Sequence, residues 1–489
     1  MVTSLKPLLA MLVSTLAVLP IALSGRWPNL REGWTFLAAL LKLGLVLSML
    51  PAVVAGQTLE LTLVSILPGV PLQFRVDPLG LLFALLAAIL WLVTSVYSIG
   101  YMRQLKEHSQ TRYYVFFALS LSATLGVAFA ANLFTLYVFY EMLSLATYPL
   151  VTHHQDAEAR GGGRKYLLYL LGTSIGFVLP AMLYCYSLSG TLDFSAQGFL
   201  AGQVTGWPAA VLLLMFVFGF AKAGLMPFHS WLPGAMVAPT PVSALLHAVA
   251  VVKVGVFCTL RIVTGVFGVE FLRAEHLGTL IGWIAAFTVL VSSLIALSQD
   301  NLKRRLAFST IGQLAYIVLG AALLTPSALT GSMMHIIMHG FGKITLFFCA
   351  GAIFVATGKK YISEMVGIGR RMPITMTAFF VGAMSVVGMP LTGGFSSKFY
   401  LLSGAVEADQ IGLFSVYLIS SLLNAAYFFP IVFQAFFFKP EDSSFGSEMG
   451  EAPASCVLPL VATATISVVL FFTPEPFYTL AKLAAAQFF

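Results

Sequence analysis

Four lysines stand where a positive charge is expensive. Lys222, Lys253, Lys343 and Lys398 each fall within an apolar run long enough to cross a bilayer, and a lysine at the centre of a membrane helix costs ~2.5 to 3.5 kcal/mol on insertion scales. All four facing lipid would cost ~10 to 14 kcal/mol, so they must face a protein interior or a water-filled cavity. Against them stands one carboxylate deep in an apolar span, Glu141 in Phe-Tyr-Glu-Met-Leu-Ser. A nearby lysine would keep it ionised, and without one it would be protonated and hydrogen-bonded to a neighbouring helix. His335, His339 and Lys343 follow at i, i+4 and i+8. Helical spacing stacks them in one stripe, about 12 Å tall at 1.5 Å per residue. Imidazoles titrate near neutrality, so such a stripe is a ladder for protons. His247 and Lys253 are six positions apart and need not share a face. Lys482, near the C-terminus, is explained by snorkelling; for Lys42, snorkelling and functional burial both stand.

These residues need helices to hold them. Of 489 residues, 59% are hydrophobic and 9% charged, with a mean hydropathy of +0.93, against about 25% charged in a soluble chain. The composition excludes a soluble enzyme and implies an all-α polytopic membrane protein. About fourteen spans start near Pro7, Trp34, Pro78, Tyr113, Asn132, Tyr166, Pro208, Thr240, Leu277, Arg305, Gly331, Pro373, Ile411 and Ala454. Between the second and third, Leu59 to Phe74 is too short to span and is interrupted by Pro68 and Pro71; its alternation suggests a surface hairpin or loop. The first span follows a single Lys6 and has no small-residue cleavage site, so it is expected to be retained and not cleaved as a signal peptide.

The loop cations sort by side. Loops after odd-numbered spans hold most of the lysines and arginines, among them Arg103, Lys106, Arg160, Lys165, Lys303, Arg304, Lys359 and Lys360, while loops after even-numbered spans hold only Arg75, Arg261 and Arg273. The positive-inside rule then places the odd-to-even loops in the cytoplasm and both termini outside. The net charge of +7 is thereby a matter of topology, not of nucleic-acid binding. Cys185, Cys258, Cys349 and Cys456 are far apart in or beside apolar segments, with no metal-site spacing, so neither a metal nor a cofactor is expected on this chain.

Two spans look broken. The segments Ala-Lys222-Ala-Gly-Leu-Met-Pro227 to Pro233 and Gly388-Met-Pro390-Leu-Thr-Gly-Gly394 to Lys398 place Gly and Pro beside a lysine at membrane depth. Irregular backbone there is tolerated only where it lines a cavity or is buried in protein. Breaks in spans seven and twelve, five apart, point to two inverted five-helix repeats around an ion path. The expected divisions are residues 1–112 for three N-terminal helices with the hairpin, 113–265 for helices four to eight, 277–438 for helices nine to thirteen, and 454–489 for a last helix.

At these motifs the chain resembles the antiporter-like subunits shared by Mrp-type cation/proton antiporters, respiratory complex I and membrane-bound hydrogenases. Glu141 matches the family's fifth-helix glutamate, and Lys222 before Met-Pro-Phe-His-Ser-Trp-Leu-Pro its seventh-helix lysine. Pro239-Thr-Pro-Val-Ser-Ala-Leu matches the start of the eighth helix, Asn301-Leu-Lys-Arg-Arg-Leu-Ala-Phe-Ser-Thr-Ile-Gly-Gln the loop into the tenth, and Gly388 to Lys398 the broken twelfth helix with its exit lysine. The likeness runs from about Asp77 to Phe438. Having both His247 and Lys253 departs from the family pattern and leaves the central carrier open between them. The His335, His339, Lys343 ladder is similar to that of the Mrp A and D types and of the largest complex I subunit, and a D-type antiporter subunit fits best.

The resemblance implies a proton-translocating subunit working beside other membrane subunits, further antiporter-like chains among them. Protons would pass from Lys222 to Lys253, along the ladder and out by Lys398, with Glu141 gating uptake. Sodium needs several oxygen ligands, which one deep carboxylate does not supply, so any sodium would move elsewhere in the complex. A complex I-like or hydrogenase membrane arm is the alternative. A redox enzyme in this chain would need a nucleotide motif, and Gly161-Gly-Gly-Arg is only a loop. The topology predicts that cysteines introduced at Ser109 and Gly358 react with impermeant reagents from the cytoplasmic side alone; labelling of either from outside would reverse the orientation.

Overall fold

The computed structural model describes residues 2–439 and 450–489; the side chain of His247, one of the two candidate central carriers, lies outside the described residues. Helix covers 76% of the chain. In chain order the elements are β1 (Val2–Thr3), α1 (Lys6–Leu23), α2 (Pro28–Leu47), β2 (Leu59–Leu67), β3 (Val70–Val76), α3 (Pro78–Gln104), α4 (Gln110–Ala128), α5 (Leu133–Val151) and α6 (Ala157–Ser189). They continue as α7 (Gly206–Gly219), α8 (Thr240–Ala248), α9 (Val251–Arg261), α10 (Leu277–Ser298), α11 (Leu302–Ala322), α12 (Pro326–Thr357), α13 (Pro373–Val387), α14 (Gly393–Glu407), α15 (Ile411–Phe437), α16 (Ala454–Phe472) and α17 (Phe477–Ala486). Among the described residues, eleven helical segments are long and apolar enough to cross a membrane. The molecule is an all-α, polytopic membrane protein.

Short polar signals set where helices begin. Asp77, Asn132, Asp156, Asn301 and Thr325 each accept a backbone N–H three residues on, capping α3, α5, α6, α11 and α12; such caps satisfy donors that a helix start leaves unpaired. The segment after α2 is the hairpin: β2 and β3 pair antiparallel, and β1 joins β2 in parallel. Its turn is Pro68-Gly69, with Gly69 at φ +73°.

The long helix α12 is the axis of the bundle, packed by α8, α11, α13, α14 and α16. Beside it both expected breaks occur. The helix α7 stops at Gly219, and the chain passes through a short 3-10 turn at Ala221–Ala223 before turning helical again at Trp231–Gly234. Between α13 and α14 the chain turns at Gly388, whose φ of +89° suits a residue without a side chain. Freed carbonyls at the breaks find donors: Thr173 Oγ1 bonds Gly219 O at 3.0 Å, Trp231 Nε1 bonds Ala221 O at 2.9 Å, and Lys398 Nζ bonds Val387 O at 2.9 Å. The eighth span is also interrupted, between Ala248 and Val251, and a π-helical turn at Ser174–Val178 lies within α6; neither was evident from sequence.

The odd-to-even loops gather at one end, where Glu107, His154, Lys165, Lys303 and Lys360 line a common cavity of about 860 Å³. At the other end Arg261, assigned to a loop by the charge partition, is instead in the last turn of α9 and 5% exposed. Its guanidinium grips Asp77 with two bonds of 2.5 and 2.7 Å. Asp77 is thus a further buried carboxylate at a span's end, as is Glu32 near the start of α2. Breaking such a pair leaves an unpaired buried charge and costs ~3 to 5 kcal/mol, whereas replacing both partners costs far less. Arg261→Ala should therefore sharply lower thermal stability of the purified protein, and Asp77→Asn combined with Arg261→Met should recover most of it; equal losses in both would show that packing, not charge, is at stake.

Candidate functional site

The break after α7 delivers Lys222 to the middle of α5. Its ammonium, fully buried, donates to Tyr140 O at 2.8 Å and Ser144 Oγ at 2.6 Å, and lies 3.1 Å from the Tyr140 ring centroid. Helix α9 holds the break in place by close approach: a Cβ on Gly255 would collide with the backbone of Lys222 and Ala223. Glu141 is the next residue on α5. Among the described residues it forms no ion pair within 4 Å, and its two oxygens are buried with no hydrogen-bond partner, although the Lys222 charge and Ser174, in the π turn of α6, both act on it. The structure thus places Glu141 beside the lysine's cradle but not in it. Separation by more than contact distance is compatible with a movable pair.

A second group is packed side by side. Lys253 of α9 meets His339 of α12 directly, amine to Nδ1. The His339 and His335 rings stack with centroids 5.9 Å apart, Tyr316 of α11 stacks on His335 at 5.8 Å, and Lys398 Nζ sits 4.6 Å from the Tyr316 ring. His335 is fixed at both nitrogens, by Gln313 Oε1 at 3.0 Å and Ser397 Oγ at 2.9 Å. A serine hydroxyl can donate to a neutral ring nitrogen or accept from a protonated one, so the imidazole keeps its bonds in either state. Lys398 adds Ser421 Oγ at 3.2 Å to its bond with Val387 O. Lys343 lies on the same stripe of α12 but points to a side pocket, donating to Ser309 Oγ at 2.8 Å, which Tyr427 also reaches at 2.9 Å. No hydrogen bond joins Lys222 to Lys253 among the described residues.

The polar partners of these groups escaped the sequence reading. Ser309, Gln313 and Tyr316 recur at i, i+4 and i+7 on α11, and Ser420, Asn424 and Tyr427 do so on α15. Hydroxyls and amides at helical spacing inside an apolar span were the available signal. Lys42 is also decided: it is fully buried and does not snorkel, whereas Lys482 is exposed.

At the rim of the loop-lined cavity, outside the spans, His154 Nε2 donates to Glu107 Oε1 at 3.4 Å, and His153 lies 3.8 Å from the same carboxylate. The bond to Glu107 raises His154 above its ordinary 6.5 despite partial burial. Burial pushes His153 down to about 4. Burial raises Glu107, but His154 and the neighbouring histidines outweigh it and leave the carboxyl below its ordinary 4.5. The link is therefore complete below about 6.5 on the histidine side, is lost as pH rises through the raised His154 value, and is lost again as pH falls through the lowered Glu107 value. Glu107→Gln should bring the His154 titration midpoint, followed by NMR or by carbethoxylation, down toward its ordinary value; an unchanged midpoint would remove Glu107 as the cause.

Comparison with known proteins bears on the chain's family and fold. The family described as NADH:quinone oxidoreductase/Mrp antiporter, TM, matches residues 130–424, more than half of the chain, and the N-terminal family of complex I chain 5 matches residues 68–114. NADH-quinone oxidoreductase subunit N of Desulforudis audaxviator is 35% identical over 374 residues, covering 75% of this chain and 73% of that protein. A Na(+)/H(+) antiporter protein of Alkalihalophilus pseudofirmus is 32% identical over 83% of this chain, which spans only 53% of that longer relative. In fold, a chain of the membrane-bound sulfane sulfur reductase, an archaeal respiratory membrane complex, superposes with a TM-score of 0.88 at 24% identity, covering 99% of this chain and 98% of its own. With its buried lysines, broken helices and matched core, the chain belongs to the NADH:quinone oxidoreductase/Mrp antiporter transmembrane family.

Proposed function

We propose that the chain is the proton-translocating subunit of a multi-subunit, Mrp-type cation/proton antiporter. The observation that carries the reading is the buried file from Lys253, hydrogen-bonded to His339, through the stacked rings of His335 and Tyr316 to Lys398. Each lysine or imidazole in it can hold or release a proton. Like charges in a low-dielectric interior repel, so a proton arriving at one site loosens the proton on the next. Lys222 takes up protons under the control of Glu141, which favours the charged lysine when near and lets the proton go when apart. Lys343 is a side store one turn from His339. His247 is an alternative centre to Lys253. Any sodium moves through partner subunits.

The odd-to-even loops face the cytoplasm of a bacterial or archaeal cell membrane, with both termini outside, as the distribution of lysine and arginine favours. The two breaks in corresponding positions support inverted repeats over residues 113–265 and 277–438, preceded by residues 1–112 and followed by 454–489. A second reading, the membrane arm of a redox-driven complex, is favoured by the near whole-chain likeness to a respiratory complex and by the quinone oxidoreductase relative. Mass spectrometry of the purified complex separates the two: small membrane subunits alone indicate an antiporter, and hydrogenase or quinone-module subunits a redox pump.

Transport by the intact complex in vesicles tests the path. Lys222→Arg keeps the charge but cannot release a proton, and Glu141→Gln removes the gate's charge; each should cut proton transport by roughly the 100-fold typical of a lost proton-transfer group. Glu141→Asp should keep partial activity. His335→Ala and Lys343→Ala should impair transport without preventing assembly. Full activity in assembled Lys222→Arg would refute the carrier role.

A further inference from the structure

We propose that Lys42 is a further proton-binding site, set in the N-terminal helices away from the file of Lys253 to Lys398 and loaded through a wet hydroxyl column from the end where Glu107 and His153 sit; it rests on the proton-conducting reading above. Lys42 is fully buried in the C-terminal third of α2. Its ammonium donates to Ser14 Oγ on α1 at 2.7 Å and to Leu121 O on α4 at 3.1 Å, and stands 4.9 Å from the Trp91 ring centroid on α3. Among the described residues no carboxylate forms an ion pair with it within 4 Å. The helices around it carry charge only at or near their ends: Lys6 on α1, Arg31 and Glu32 on α2, Arg103 on α3 and Arg112 on α4.

A purely structural clamp in this position would be held by an opposite charge, as Arg261 is by Asp77. Lys42 is held instead by a hydroxyl, a carbonyl and an aromatic face. The carbonyl and ring favour its charged form, the hydroxyl serves either form, and nothing fixes the proton there permanently. A second observation points to water beside it. Trp91 Nε1 is buried and has no hydrogen-bond partner among the described residues, and buried donors are rarely left unmet by protein or water. From Trp91, hydroxyls follow α3: Ser95 Oγ bonds Trp91 O at 2.8 Å, and Ser98 Oγ bonds Thr94 O at 2.7 Å and stands 2.6 Å from Tyr113 OH on α4; no direct bond joins Ser95 to Ser98 among the described residues, so water must bridge that step. The Tyr113 ring meets His153 edge-on at 6.2 Å, and both ring nitrogens of His153 are again buried without a hydrogen-bond partner. Orphaned polar groups thus mark both ends of one hydroxyl run between the rim and Lys42.

The test uses the intact complex in membrane vesicles, with assembly verified for each variant. Lys42→Gln removes the proton site, and Tyr113→Phe removes the link but keeps the ring. Both should lower proton transport several-fold and shift its pH profile in the same direction. Ser95→Cys should react with a small water-soluble thiosulfonate above the background of the parent chain, whose four cysteines are buried. A parental pH profile in assembled Lys42→Gln and Tyr113→Phe, or an unreactive Ser95→Cys, overturns the proposal and leaves Lys42 a clamp between helices. Should Lys42→Gln fail to assemble, Tyr113→Phe and the labelling decide. Failure of the broader reading is distinct, since it shows as full transport in Lys222→Arg and Lys343→Ala, while the labelling does not depend on transport.

Discussion

The cost of an ammonium group in hydrocarbon governs this structure. Each buried lysine must be met by something polar, and among the described residues none of Lys42, Lys222, Lys253, Lys343 and Lys398 forms an ion pair with a carboxylate within 4 Å. What meets them is backbone carbonyl, hydroxyl, imidazole and aromatic ring. Inside a regular helix each carbonyl already accepts an i+4 N–H and offers only its second lone pair, as Tyr140 O does to Lys222 and Leu121 O to Lys42. The break after Val387 frees one, and Lys398 takes it. Glycine and proline at that break are therefore part of the lysine's solvation, not an independent flaw in the helix.

The contrast with Asp77 and Arg261 shows why lysine is used along the axis. A guanidinium stays charged, and its forked donors match a carboxylate in two parallel bonds. That pair locks α3 to α9 at one end of the bundle. Lysine can lose its proton, and partners that are themselves neutral do not trap it in the charged state as a carboxylate would. One side of the molecule is thereby held by fixed charge and the interior is left to groups whose charge can change.

Glu141 fits the same logic from the other sign. It sits on a flank of α5 where Met142 and Leu145 are 49% and 58% exposed, so this face is covered by lipid or by neighbouring subunits, in keeping with the multi-subunit membrane complexes of its relatives. Its carboxylate oxygens are buried and have no hydrogen-bond partner among the described residues. A group so placed responds to small changes in the distance to Lys222, since Coulomb energies in a low dielectric fall steeply over a few ångströms.

The sequence by itself determined the membrane class and both main breaks, because hydropathy and the Gly/Pro positions are local properties that a bilayer reads directly. It also fixed the stripe of His335, His339 and Lys343, since helical spacing alone aligns them. Only the tertiary structure decided that His339 meets Lys253 while Lys343 turns aside to Ser309, that Tyr316 bridges toward Lys398, that Lys42 is buried against Ser14, and that Arg261 reaches Asp77 across 184 positions. Those contacts join helices far apart in the chain. Side chains on one helix share a face by geometry, but which neighbour that face meets is set by how helices pack, and apolar spans of similar composition do not encode that choice locally.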